Sequence, residues 1–177
     1  DNSLKEEFLD LILNQNNQFL SKALFGCPYK EFRDGFSKLL LTFFENNTTL
    51  DPLNLAVCTF YILDFFWSNY QNANNVFKVL YTLYKRFPSV RNLANEENWY
   101  DKLRDIFNTQ FEVFKRDNPE LNTNYIFEGM NLTHYLKLVN ALENENEQNE
   151  FTIMNDMNNF ILNICLSSSS LNSIARF

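Results

Sequence analysis

The sequence has little glycine and little proline, with 3 Gly and 4 Pro among 177 residues. Sheet proteins of this length need many tight turns, and those turns draw on glycine and proline. The scarcity of both therefore favours a few long helices joined by short polar connections. A hydrophobic share of 45% and a count of 19 Phe exclude a disordered chain, and the length suits one domain with its own core.

An excess of positive charge is also missing, because the formal net charge is −7. Free nucleic-acid sites usually present a basic stripe, and anionic membranes attract clusters of Lys and Arg. We therefore expect no membrane association and no direct binding of nucleic acid. No apolar run reaches the length of a membrane-spanning helix, and we expect no signal peptide. The expected location is the cytoplasm, with the nucleus as a second candidate.

Cysteine and histidine are too sparse for a metal site. Cys27, Cys58 and Cys165 are odd in number and far apart, which is typical of a reducing compartment where cysteine serves as a small hydrophobic residue. His134 is the single histidine, whereas zinc sites need clustered Cys and His ligands. We expect His134 to be a surface or half-buried residue rather than a ligand or a catalytic base.

No motif in the chain carries a known chemistry. The phosphate-binding glycine loop, the dinucleotide-binding glycine motif and the nucleophile elbow are all missing from the sequence. The acidic run from Glu143 to Glu150 lacks the glycine and the alternating Asp or Asn of a calcium loop, so it is interpreted as a solvated run. We therefore predict no catalytic, cofactor-binding or metal-binding residues, and a protein that is not an enzyme.

Three apolar runs between residues 29 and 87 organise the chain. The first and third recur at i, i+3, i+4 and i+7, which indicates helices with one buried face, over residues 29–45 and up to Phe87. The second, over residues 51–70, is apolar nearly all round and is predicted to be a covered helix at the centre of the stack. Asp51 followed by Pro52 predicts its start. The three runs contain these apolar residues: Phe32, Phe36, Leu39, Leu40, Phe43 and Phe44; Leu53, Leu55, Val57, Phe60, Tyr61, Leu63, Phe65, Phe66 and Trp67; Val76, Phe77, Leu80, Leu83, Tyr84 and Phe87.

Further helices flank this centre. Ser3 and Glu6 form a capping-box pattern that predicts a helix start, and the apolar spacing predicts one continuous helix over residues 95–115. Two more amphipathic segments follow, at residues 132–142 and 151–165, before a tail over residues 167–177 that is predicted to be flexible. We predict a single all-α domain over residues 1–177, with six to eight helices in an irregular antiparallel bundle or an armadillo/HEAT-like stack.

Most of the aromatic residues are expected to pack in the core, and those left over when each helix has buried one face are candidates for an open surface. On the middle helix, Tyr61, Phe65 and Trp67 cannot all face the same neighbour, so an open side there would form an apolar patch for a protein partner. Tyr125 and Phe127 lie in a connection and have the same character. These five residues are the predicted partner-binding residues, and an extended helical surface that receives partner helices or peptides is the natural use of such a fold.

The order of motifs in this central part resembles a known family. Phe32-Arg33-Asp34-Gly35 precedes an apolar helix, Asp51-Pro52 starts the next one, an aromatic run ends in Phe66-Trp67, and Asn75-Val76-Phe77 follows. This arrangement over residues 29–80 is similar to the N-terminal region of the eleventh NOT subunit of the CCR–NOT deadenylase complex. The sequence departs from the family pattern at Val76, where the family has proline.

The resemblance implies a non-enzymatic subunit. Members of that family bind a helical-repeat partner subunit and the N-terminal part of a large helical scaffold, and they serve assembly and recruitment in cytoplasmic mRNA decay. The residues carried over are mostly fold-defining: Phe32, Gly35, Pro52, Tyr61, Leu63, Asn75 and Phe77. Two alternatives stay open, namely a compact Bcl-2-like bundle that binds a partner helix in an apolar groove, and an RNA-binding helical repeat, which would need a basic face on the folded surface.

Overall fold

The computed structural model describes residues 2–14, 18–45, 51–122, 126 and 130–145. Within these ranges the chain is helical and contains no strand, so the predicted all-α fold is confirmed. Eight of the described helices are nine residues or longer, which lies within the six to eight that the sequence predicts. The helices are α1 (Asn2–Asn14), α2 (Gln18–Ser21), α3 (Lys30–Glu45), α4 (Pro52–Tyr61), α5 (Asn74–Arg86), α6 (Pro88–Glu96), α7 (Trp99–Phe107), α8 (Thr109–Asp117) and α9 (Thr133–Glu145). A π-helical turn, Lys22–Gly26, follows α2, and two 3₁₀ turns, Ile62–Phe65 and Tyr70–Asn72, follow α4.

Helix α4 begins where the sequence predicts it. The Asp51 side chain accepts a hydrogen bond of 2.9 Å from the backbone N–H of Leu53, and Pro52 occupies the first turn. The carboxylate satisfies one of the N–H groups that the first turn leaves unpaired, and proline has no N–H to lose there. The predicted start of this helix is therefore confirmed.

The central helix is α5 rather than the apolar run before it. It contacts α3, α4, α6, α9 and the π-helical turn. Its buried residues lie on most of its circumference: Asn75, Val76, Phe77, Val79, Leu80, Leu83 and Tyr84. Helix α4, which was expected at the centre, leaves Asn54 and Tyr61 exposed. Helix α4 contacts α1, α2, α5 and α6, whereas α5 contacts α3 and α9 in its own layer as well as α4 and α6 in the other.

Helices α3, α5 and α9 run parallel in one layer. Near the starts of α3 and α5, Asn75 Nδ2 donates to Asp34 Oδ1 at 2.9 Å, and Arg86 lies near Glu45 where both helices end. At the start of α9, His134 Nδ1 lies 3.0 Å from Asn74 Oδ1. Later along both helices, the Tyr84 hydroxyl donates to the carbonyl of Ala141 at 3.2 Å. Neighbours in a simple up-and-down bundle would alternate in direction, so this layer is closer to the stacked-hairpin arrangement.

A second layer of α4, α6 and α7 covers this one. Helices α4 and α6 pack on α5, and α7 packs on α9. Trp99, at the start of α7, is buried and stacks on Phe60 with a centroid separation of 4.6 Å. Phe107 stands between the layers, 4.3 Å from the Tyr135 ring and 4.9 Å from the Phe66 ring. The described core is therefore strongly aromatic, which accounts for much of the Phe and Tyr content.

Several predicted helix boundaries are wrong. The helix predicted over residues 51–70 is α-helical only to Tyr61 and continues as the 3₁₀ turn Ile62–Phe65. The continuous helix predicted over residues 95–115 is divided at Asn108 into α7 and α8, and the segment after Pro88 forms α6. At the N-terminus, Ser3 lies inside α1, and its hydroxyl donates to Glu7 Oε1 at 3.5 Å.

Candidate interaction surface

One side of α3, with Tyr29 directly before it, carries an apolar row of which three side chains are exposed. We call Tyr29, Phe32, Phe36, Leu39 and Phe43 the α3 stripe; their spacing of three, four, three and four residues is that of the a and d positions of a heptad. Tyr29 is 71% exposed, Phe32 50% and Leu39 44%. The stripe extends along the helix for about 21 Å at the rise of an α-helix.

The α3 stripe is held in place from beneath and from both sides. Phe36 is buried, and Phe32 stacks on it with a ring separation of 6.1 Å and an interplanar angle of 6°. Phe19 of α2 meets the edge of Phe36 at 5.7 Å, and Phe8 of α1 meets Phe43 at 5.3 Å. Among the exposed side chains of the stripe, Phe32 is therefore supported by a ring that is itself packed in the core.

The sequence assigned this stripe to the buried face, and that assignment is wrong for Phe32 and Leu39. The face of α3 that enters the core lies next to the stripe and consists of Arg33, Phe36, Ser37, Leu40, Leu41 and Phe44. Arg33 is buried there, and its guanidinium donates to the carbonyl of Cys27. The sequence places two apolar rows side by side on this helix, but the spacing alone does not show which of the two rows enters the core.

The predicted residues on the middle helix separate into two groups. Tyr61 is 60% exposed and Phe65 is 59% exposed, and they lie four residues apart where α4 passes into its 3₁₀ turn. Trp67 is only 7% exposed and packs against Phe111 and Phe114 at 4.8 and 5.3 Å. The placement of Trp67 on the open surface is therefore wrong, since a residue two positions beyond Phe65 points to the opposite side of a helical turn. Tyr125 and Phe127 lie outside the described residues.

The described residues offer little to a reaction. No group of three or more His, Cys, Asp or Glu side chains that could hold a metal ion occurs among them. Burial raises the pKa of the Cys58 thiol, whose Sγ lies 3.4 Å from Asn54 Oδ1, so this cysteine stays protonated. The half-buried His134 faces an amide, Asn74, rather than a nucleophile. The acidic run from Glu143 to Glu150 is predicted to be solvated. Its first residue, Glu143, accepts a hydrogen bond of 3.1 Å from the Tyr100 hydroxyl.

The residues carried over from the family resemblance occupy both core and surface. Leu63 and Phe77 are buried, and Pro52 opens α4. Asn75 is buried between α3 and α5, where its Oδ1 accepts from the Ser37 hydroxyl at 3.4 Å. Phe32 belongs to the α3 stripe, and Tyr61 and Gly35 are exposed.

No family model matches the chain, and neither a curated protein sequence nor a solved structure shows significant similarity to it. Among the residues that the structure describes, none of the helices combines the length and the apolar character needed to cross a bilayer.

Proposed function

We propose that this protein is a non-enzymatic protein–protein interaction subunit whose α3 stripe binds an amphipathic helix of a partner. The observation that carries the proposal is the heptad-spaced row of exposed apolar side chains, Tyr29, Phe32 and Leu39, on a helix that already buries a second face in the core. Large apolar side chains exposed side by side mark interaction sites more often than scattered ones do.

The shape of the stripe selects the kind of partner. A row at a and d spacing receives the a and d side chains of a second helix, because knobs from each helix enter holes between four residues of the other. Polar residues border the row, with Lys30 and Glu31 near its start and Lys38 and Thr42 farther along. A helix with its own apolar row and mixed charges at the edges fits this surface.

A more specific form of the proposal is membership of the CCR–NOT deadenylase complex. It rests on the resemblance of residues 29–80 alone. In that form the stripe or the exposed pair Tyr61 and Phe65 would contact the large helical scaffold or a helical-repeat subunit, and the protein would serve mRNA turnover in the cytoplasm. The general proposal does not depend on this form.

The test is an affinity capture of the tagged protein from its own cells at high salt, followed by mass spectrometry. The test variant is Phe32→Glu/Leu39→Glu, which places two charges on the α3 stripe. The matched control is Val113→Glu/Leu121→Glu, which makes the same chemical change at two exposed apolar residues outside the stripe. We expect a partner that the wild type and the control recover and that the stripe variant loses, with all three proteins melting alike.

The outcomes separate the two forms of the proposal. Recovery of the NOT scaffold and deadenylase subunits, dependent on the stripe, would support both. Stripe-dependent recovery of other proteins would support the interaction function and remove the CCR–NOT assignment. Equal recovery by the stripe variant and the wild type would show that the α3 stripe is not the binding surface.

A further inference from the structure

The outer side of α5 and α9 is basic in an otherwise acidic protein. Helix α5 contains Lys78, Lys85 and Arg86 and no acidic residue. Helix α9 contains His134 and Lys137, and its first acidic residue is Glu143, near its end. Since the net charge is −7, the acidic excess lies in other parts of the chain.

Contacts between the two helices place these cations on one face. Asn74 lies beside His134, and the ring of Tyr81 lies 6.5 Å from the His134 ring, centroid to centroid. Lys78 lies between Asn74 and Tyr81 on α5, four and three residues from them, so it shares their side of the helix. Lys85 continues that side one turn beyond Tyr81. Lys137 follows His134 by three residues and lies on the same side of α9. We call Lys78, Lys85, Lys137 and His134 the α5/α9 face.

The electrostatics of His134 agree with this placement. Its pKa is lowered, first by burial and then by the positive charges of Lys137 and Lys78. Among the described residues, no ion pair involves Lys78, Lys85 or Lys137, whereas Arg86 lies 3.9 Å from Glu45. These three lysines therefore keep their charge available to a ligand from outside.

We propose that the α5/α9 face binds an acidic segment of a protein partner, with Lys78, Lys85 and Lys137 contacting its carboxylates. Charge complementarity carries the proposal: the face is locally positive, and its lysines stand on two adjacent parallel helices. Lys78 and Lys85 are about 10 Å apart along α5, and packed helices lie about 8–10 Å apart. An area of that size matches a short run of Asp and Glu.

The alternative of an RNA-binding helical repeat requires a basic face, which the α5/α9 face provides. The side chains around its lysines nevertheless favour an acidic peptide over an RNA strand. A strand that binds without sequence preference needs a basic groove along its backbone and exposed aromatic rings for base stacking. The described contacts place one ring beside these lysines, Tyr81, which is half-buried and lies 6.5 Å from the His134 ring, centroid to centroid, so a strand would find a single, partly covered stacking surface here.

The proposal goes beyond the α3 stripe and is tested separately from it. The probe is a fluorescein-labelled peptide of repeating Glu-Glu-Gly units, with a Gln-Gln-Gly peptide and a uridylate oligomer as comparisons, measured by fluorescence anisotropy on the whole protein. We expect saturable binding of the acidic peptide that weakens as salt is raised, and no binding of the Gln peptide. The stripe variant Phe32→Glu/Leu39→Glu should bind the acidic peptide as the wild type does.

Lysine variants assign the binding to this face. Lys78→Gln/Lys137→Gln should raise the Kd for the acidic peptide by about tenfold. Lys102→Gln/Lys115→Gln is the matched control, because these lysines are exposed or half-exposed on α7 and α8 and pair with Glu97 and Glu112, and it should bind as the wild type does. The proposal is overturned if the acidic peptide does not bind, if the control loses as much affinity as the test variant, or if the uridylate oligomer binds more tightly through Lys78 and Lys137.

Discussion

The indole Nε1 of Trp67 donates a hydrogen bond of 2.8 Å to the backbone carbonyl of Ile106, 39 residues away in the chain. In a continuous helix that carbonyl would accept from the N–H of Gln110, four residues on. The bond lies two residues before the point where α7 gives way to α8, at Asn108. The last carbonyls of a helix have no N–H partner within that helix. Trp67 supplies a donor to one of them, the Ile106 carbonyl at the end of α7.

We predict that Trp67→Phe lowers the free energy of unfolding by about 1–3 kcal/mol, because the Ile106 carbonyl loses its donor inside the core. Trp67→Ala should cost more, about 3–5 kcal/mol, since the contacts with Phe111 and Phe114 are lost as well. Denaturant melts followed by circular dichroism measure both. Phe65→Ala is the control, because that ring is exposed and its loss should change stability by no more than about 0.5 kcal/mol.

A second pair of variants compares the stability effects of a buried residue and an exposed residue that lie two positions apart in the chain. Leu63 is buried, so Leu63→Ala should destabilise the protein by about 2–5 kcal/mol through lost burial and a residual cavity. Tyr61→Ala removes an exposed ring and should leave the melting temperature nearly unchanged. Phe60→Ala should also destabilise the protein, because Phe60 stacks on the buried Trp99. If Leu63→Ala and Tyr61→Ala had the same melting temperature, the assignment of Leu63 to the core and of Tyr61 to the surface would be wrong.

The start of α4 depends on one carboxylate. Asp51→Ala removes the acceptor of the Leu53 N–H bond and should cost about 1 kcal/mol, the usual value for an N-terminal cap. Asp51→Asn keeps an acceptor oxygen and should recover most of the loss. Chemical denaturation of the three proteins at the same pH measures the differences, and an equal loss in both variants would assign the effect to charge rather than to the hydrogen bond.

Acidification should weaken the fold through His134. Burial and the charges of Lys137 and Lys78 lower its pKa in the folded protein, whereas the unfolded chain has the ordinary value of roughly 6.5. The neutral ring is therefore favoured by folding: this contribution is present above pH of about 6.5 and is lost as the pH falls through the lower folded pKa. His134→Gln should show a smaller loss of stability than the wild type as the pH is lowered from neutral through that window, measured by urea melts at each pH. Parallel pH profiles of the two proteins would contradict the expectation.

The face assignment on α3 shows where a local pattern is ambiguous. The apolar residues of this helix form two adjacent rows, and the sequence does not say which row meets the rest of the chain. Contacts with α5 and the π-helical turn bury the row around Leu40 and Phe44 and leave Phe32 and Leu39 in solvent. The candidate surface could be recognised only after the neighbours of α3 were in place.

Local chemistry in the sequence determined the all-α class, the start of α4 at Asp51 and Pro52, and the end of α5 before Pro88. Each depends on short-range effects: helical periodicity, a capping side chain, or the geometry that proline imposes. The tertiary structure decided that α5 is the centre, that α7 and α8 are separate, that Trp67 is buried and that the lysines of α5 and α9 share a face. Those features depend on contacts between residues distant in the chain, and a local pattern carries no information about its partners.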